Sequence, residues 1–174
     1  MLKLSASTSK SHKIAKLLPI TLIGMGLTTA MTLPAQAADV IYHGNFCTPN
    51  RTSVNLVERN QFGVNNASSV STATVQCPFY LPFSAALRVS NVWLTVYDRN
   101  PSSNINCTLT GVGLEGSTIW TRTASSSGSS AVHQFLSFSP PSAFVATMNM
   151  SCSIPAATAS GVSHITTYRV ITNP

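Results

Sequence analysis

From residue 38 onward, apolar positions tend to recur at every second residue, and the three-to-four spacing of an amphipathic helix is hard to find. Short runs rich in Val, Ile, Thr, Phe and Tyr are separated by clusters of Ser, Asn, Gly and Pro. The runs at 40–46, 53–58, 69–76, 87–97, 104–110, 117–123, 131–138, 144–153 and 162–171 are the candidate strands. The clearest reads from Phe144 to Ile154. There Phe144, Ala146, Met148, Met150, Cys152 and Ile154 share one face, and Val145, Thr147, Asn149, Ser151 and Ser153 share the other. In 104–110, Ile105, Cys107 and Leu109 alternate with Asn104, Asn106, Thr108 and Thr110, so Cys107 and Cys152 both point inward. This pattern predicts an all-β chain: one antiparallel β-sandwich, jelly-roll or Ig-like, of about eight strands.

The stretch NVWLTVYDRNPSSNINCTL, Asn91 to Leu109, carries the most chemistry. Val92, Leu94 and Val96 alternate with Trp93, Thr95 and Tyr97. The apolar signal then stops at Asp98-Arg99-Asn100-Pro101-Ser102-Ser103-Asn104 and resumes at Ile105. Asp and Asn side chains bond their own backbone in turns, and Pro presets φ. The segment therefore predicts a β-hairpin whose Asp98 caps the loop or pairs with an arginine. If the valines and Leu94 face the core, Trp93 and Tyr97 face outward together. Aromatics exposed in this way stack on sugars or anchor a protein partner; the competing expectation is that the tryptophans and tyrosines fill the core.

The first residues differ from the rest. Lys3, Lys10, Lys13 and Lys16 precede an apolar run from Leu17 to Leu33, which ends at Ala35-Gln36-Ala37. A basic start, an apolar middle and a small-x-small end predict a signal peptide over residues 1–37, cleaved so that Ala38 or Asp39 becomes the new N-terminus. The remaining domain, 38–174, is about 136 residues, enough for one real core. Removing the segment also changes the charge. The chain's +6 shrinks, because all four lysines go with it. What remains is Arg51, Arg59, Arg88, Arg99, Arg122 and Arg169 against Asp39, Glu58, Asp98 and Glu115, with no basic stripe. Nucleic-acid binding loses its electrostatic support. No later stretch is long and apolar enough to span a bilayer as a helix. The expected location is secreted or periplasmic.

Four cysteines follow the segment: Cys47, Cys77, Cys107 and Cys152. An even count in an exported chain predicts two disulfides. Three connectivities exist; pairing neighbours along the chain gives Cys47–Cys77 and Cys107–Cys152, and the shared inward parity of Cys107 and Cys152 suits a bridge through the sandwich core. Zinc is the rival, but its sites bring ligands in close pairs that this spacing lacks.

The order Cys77-Pro78, Val92 to Asp98, Cys107-Thr108-Leu109, Met150-Ser151-Cys152-Ser153-Ile154-Pro155 and Tyr168-Arg169-Val170 resembles a group of small secreted bacterial two-disulfide β-sandwich proteins of unknown function. The resemblance spans roughly residues 45 to 172. It implies export and the sandwich, and no catalytic residue.

Chemistry is otherwise sparse. His43, His133 and His164 are scattered, and the acids are too few and too spread for a glycosidase pair or a calcium cage. Neither a G-x-S-x-G elbow nor an H-E-x-x-H helix occurs. No catalytic residue, metal or cofactor is expected. Sequons at Asn50, Asn66, Asn106 and Asn149 fit chance in an Asn/Ser/Thr-rich chain. The leading expectation is a non-enzymatic exported protein that binds or assembles with an envelope or extracellular protein. The alternative is a carbohydrate-binding module using Trp93 and Tyr97, with a hydrolase third. Polar neighbours around the aromatics would favour sugar; a flat apolar patch would favour protein.

Overall fold

A computed structural model describes residues 38–80 and 88–173. The expected export segment, 1–37, lies outside the described residues. Among these residues eleven strands run β1 Asp39–His43, β2 Thr48–Pro49, β3 Val57–Asn60, β4 Gly63–Asn66, β5 Ala73–Pro78, β6 Arg88–Tyr97, β7 Asn106–Val112, β8 Thr118–Ser125, β9 Gln134–Phe138, β10 Thr147–Ile154 and β11 His164–Asn173. They form two antiparallel sheets. One is ordered β3-β4-β11-β6-β9, with β1 also against β11; the other is β2-β5-β10-β7-β8. The helical content of the described residues is a single 3-10 turn at Gly44–Phe46.

Alternation places the core as the sequence implies. Val92, Leu94 and Val96 of β6 are fully buried, as are Met150, Cys152 and Ile154 of β10, Leu109 of β7, and Ile165, Tyr168 and Val170 of β11. Each such side chain contributes roughly 1.5–3 kcal/mol by leaving water. An aromatic group packs within the core. Tyr42 and Tyr168 stack at 4.9 Å, and Phe79 meets both edge-on at 6.0 and 5.2 Å. The Tyr168 hydroxyl donates to the Pro78 carbonyl at 2.8 Å, and the Tyr42 hydroxyl donates to the Tyr80 carbonyl at 2.7 Å. These bonds tie the six-stranded sheet to the chain leaving β5. Burial pushes both phenol pKa values up, far up for Tyr168.

Both expected disulfides form, Cys47–Cys77 and Cys107–Cys152. They do not cross the gap between sheets, as inward parity suggested. Cys107 and Cys152 are directly opposite in the β7–β10 register, and Cys47 lies beside Cys77 where β2 meets β5. Their Cα atoms are 4.1 and 4.0 Å apart. Facing residues of an antiparallel pair already lie on one side and close together, so a bridge between neighbours needs no reach across the core.

Other expectations shift for physical reasons. The run at 53–58 is mostly turn: Ser53 and Leu56 amides bond back to the Asn50 and Ser53 carbonyls, and the strands begin at Val57 as the β3–β4 hairpin. The strand expected at 144–153 starts at Thr147. Phe144, expected inside, is 56% exposed and packs under the Arg88 guanidinium at 5.0 Å, and Ala146 is only half-buried. In β11 a bulge between Ile165 and Thr167 reverses the alternation. His164 therefore faces the opposite side of the sheet from Ile165, Tyr168 and Val170, which are fully buried. Gly44 and Gly63 pack against this bulge. A Cβ on either would collide with the Ile165 carbonyl, and Gly63 also has φ +129°.

Candidate binding face

The hairpin forms around Asp98, which is fully buried. Its carboxylate accepts from the backbone amides of Asn100 at 3.0 Å and Ile105 at 3.3 Å, from the Ser163 hydroxyl at 3.0 Å, and from the Ser126 hydroxyl. It thus caps the loop and also joins it to the segments before β11 and after β8. No arginine pairs with it: Arg99 donates instead to the Ser160 carbonyl at 2.7 Å. The serines that contact Asp98 have no histidine among their hydrogen-bond partners, so a nucleophile-and-base arrangement is not assembled there. Asn100 completes the loop by accepting from the Ser102 and Ser103 amides, both at 2.9 Å.

With Val92, Leu94 and Val96 inward, Trp93, Thr95 and Tyr97 line the outer face of the six-stranded sheet. Trp93 is 39% exposed and Tyr97 is half-buried. The register supplies their neighbours. Across the sheet from Trp93 lie Arg169 and then Ile41 on one side and Ser137 on the other; one step along, Thr95 lies between Thr167 and Phe135. Arg169 bonds Asp39 through two nitrogens, with Nε to Oδ1 at 2.7 Å. Its guanidinium sits 5.7 Å from the Trp93 ring centre. The pair holds the Asp39 carboxyl below its ordinary pKa and the Arg169 guanidinium above its own, chiefly through their hydrogen bond. Ile41 and Phe135 add exposed apolar surface, 65% and 71%.

The far end of the strip is different. Tyr97 stacks on His164 at 5.0 Å and meets His133 at 5.3 Å; the two imidazoles are 6.1 Å apart. Arg99 places its guanidinium 5.5 Å from the Tyr97 ring. Burial lowers the His164 pKa and repulsion from His133 adds to this, while the Val162 backbone opposes it. Trp93 and Tyr97 are about 14 Å apart at the rise of a strand, the reach of a short oligomer rather than one ring.

The remaining candidates lie elsewhere. Trp120 is buried over Gly111, its cross-strand partner, so it is core, as are Tyr42 and Tyr168. His43 is apart from the other two histidines; its ring accepts from the Asn45 amide and approaches the Gln61 carbonyl. Among the described residues no three His, Cys, Asp or Glu side chains gather as a metal site. Asn66 is fully buried and donates to the Ser71, Ile154 and Pro155 carbonyls, so its sequon is closed to modification in the folded chain. Sequence reasoning missed Arg169, Asp39, Phe135, His133, His164 and Arg99 as companions of the strip. They come from separate strands and loops, and only the register brings them together.

No family model and no curated protein sequence matches the chain. Among solved structures it is similar to a CBM36-1 domain of a multidomain xylanase from the hindgut metagenome of Trinervitermes trinervoides, at 12% identity and TM-score 0.48, over 76% of this chain and 96% of that one. It is also similar to the xylan-binding module CBM15, at 11% and 0.48 over 77% and 97%, and to the Tobacco streak virus coat protein, at 8% and 0.38 over 83% and 90%. At these identities and scores the likeness carries no ligand over to this chain.

Proposed function

We propose that the chain is an exported, non-catalytic glycan-binding domain, secreted or periplasmic, that holds sugar rings against the outer face of its six-stranded sheet through Trp93. The observation that carries the reading is the setting of Trp93: a partly exposed indole on a sheet face, bordered by Arg169, Asp39, Ser137, Asn91 and Thr95. An apolar ring face beside fixed polar donors and acceptors suits a pyranose, which offers C–H bonds on one side and hydroxyls at its rim. The reading departs from the leading expectation of a protein partner, because the strip is polar-bordered rather than a flat apolar patch. Two disulfides fit export.

Ile41 and Phe135, both well exposed on the same face, favour the second reading, a protein partner docked there. Affinity electrophoresis decides between them. The domain is run through gels holding xylan, hydroxyethyl cellulose, dextran, polygalacturonate or dextran sulfate. Retardation by at least one polymer, lost in Trp93→Ala at unchanged melting temperature, supports the proposal. Free migration in every gel overturns it.

A further inference from the structure

We infer that the Tyr97 end of the strip is a subsite for an acidic sugar, one whose carboxylate or sulfate sits among Arg99, His133 and His164. This rests on the glycan-binding reading and narrows it. Three nitrogenous side chains converge on one tyrosine ring: His164 stacked at 5.0 Å, His133 at 5.3 Å and the Arg99 guanidinium at 5.5 Å. The Tyr97 hydroxyl donates to the Ala131 carbonyl at 3.2 Å, and Arg99 is steadied by Ser160. The Arg99 guanidinium is therefore held in place before a ligand arrives. Among the described residues, no carboxylate side chain shares the cluster. Asp98 is turned into the core, and Asp39 is at the Trp93 end, bound to Arg169.

The other groups on elements packed around His164 change this little. In its row lie Asn65 of β4, which is neutral, and then Glu58 of the edge strand β3, two strands away, or about 10 Å. His43 of β1 lies opposite Thr167, beyond the bulge. An arginine beside two imidazoles with no acid among them repels a metal cation and attracts an anion. The sugar ring itself would stack along the strip toward Trp93, which separates this subsite from a simple ion site.

A pH dependence follows. Burial, with repulsion from His133 adding to it, lowers the His164 pKa from its ordinary value. An anion reverses that shift, so ligand and proton bind together. A His164 imidazolium formed beside the anion should strengthen binding by about fivefold in the high dielectric of a partly exposed site. A neutral sugar gains nothing from the same protonation.

Calorimetry compares oligogalacturonates with their fully methyl-esterified forms, which keep the backbone and lose the charge. Sulfated dextran oligosaccharides against plain dextran oligosaccharides supply the sulfate arm; neutral xylo-oligosaccharides supply a further uncharged ligand. Expected is a preference of about tenfold or more for a charged member over its uncharged twin at pH 5.5, shrinking at pH 8. Preference for the uronates assigns a carboxylate subsite, and preference for the sulfated series a sulfate one. His133→Gln, an exposed change, should remove much of the preference, and Arg99→Gln most of it, whereas Arg122→Gln on β8 should not. Equal affinity for charged and uncharged members, a preference indifferent to pH, or an unchanged preference in His133→Gln and Arg99→Gln overturns the subsite. Binding of the neutral oligosaccharides alone does the same and leaves the glycan reading standing. Binding of none of them defeats that reading as well.

Discussion

Replacing Asp98 with alanine should be among the most damaging single changes in this chain, although the residue sits in a loop. Its carboxylate is fully buried and takes four donors: the Asn100 and Ile105 amides and the Ser126 and Ser163 hydroxyls. Two donors keep other options, since the Ile105 amide also reaches Ser126 Oγ at 2.8 Å and a hydroxyl can rotate. The Asn100 amide and at least one hydroxyl are left unpaired away from water. An unpaired buried polar group costs roughly 1–3 kcal/mol, and hydrogen bonds to a charged acceptor are worth about 1.5–3. Desolvation of the carboxylate, which alanine would relieve, offsets part of this. The net expectation is about 3–5 kcal/mol, or roughly 12–20 °C in melting temperature for a domain this size. That exceeds the 0.5–2 kcal/mol of an ordinary lost cap. Asp98→Asn, which keeps an acceptor, should cost about half as much. Urea unfolding at pH 7 with both disulfides intact measures each. A loss below about 1 kcal/mol in the alanine variant would show that the four bonds do not hold the loop to the sandwich.

Thermal melts of the ligand-free domain should fall as pH drops below 6.5. The His164 pKa is lower folded than unfolded, so its contribution is fully present above the unfolded value and is lost as pH falls through the folded one. His164→Gln should flatten that part of the profile; an identical slope in the variant would remove His164 as its source. Gly63→Ala should cost about 3 kcal/mol or more in urea unfolding, because a positive φ and a collision with the Ile165 carbonyl act together. Replacing Cys107 and Cys152 together with serine opens a bridge between residues 45 apart and should cost about 4 kcal/mol by chain entropy; guanidinium unfolding checks it. Exported material should have the intact mass of a chain beginning at Ala38 or Asp39, and a mass retaining 1–37 would make the segment an anchor.

Local alternation was enough to read β6, β7 and most of β10, because each has one buried and one wet face and period two separates them. The same rule turned Trp93 outward and Cys107 and Cys152 inward. It failed wherever a local feature broke the period. The bulge at Thr166 turned His164 to the outer face, and the β3–β4 hairpin was hidden because it follows the Asn50–Leu56 turns rather than an apolar run. Asp98 was legible as a turn residue from the Asp-Arg-Asn-Pro stretch, but two of its four donors, Ser126 and Ser163, are 28 and 65 residues away. The candidate face was half legible for the same reason. Trp93 and Tyr97 share a strand, whereas Arg169 and Asp39 are 130 residues apart and meet only by sheet register. Disulfide pairing was legible as a neighbour rule, and the within-sheet placement of both bridges needed strand order.

The two tryptophans give the most direct test of the proposed glycan-binding face. Trp93 is 39% exposed on it, while Trp120 is 7% exposed in the other sheet's packing. Their indole N–H signals in a nitrogen–proton correlation spectrum can be followed as the oligosaccharide that binds best in calorimetry is added. The Trp93 signal should move to saturation, with the amides of β6, β9 and the end of β11 moving alongside it, while the Trp120 signal stays in place. Saturated binding that shifts Trp120 and the five-stranded sheet, with Trp93 unmoved, would contradict the proposal.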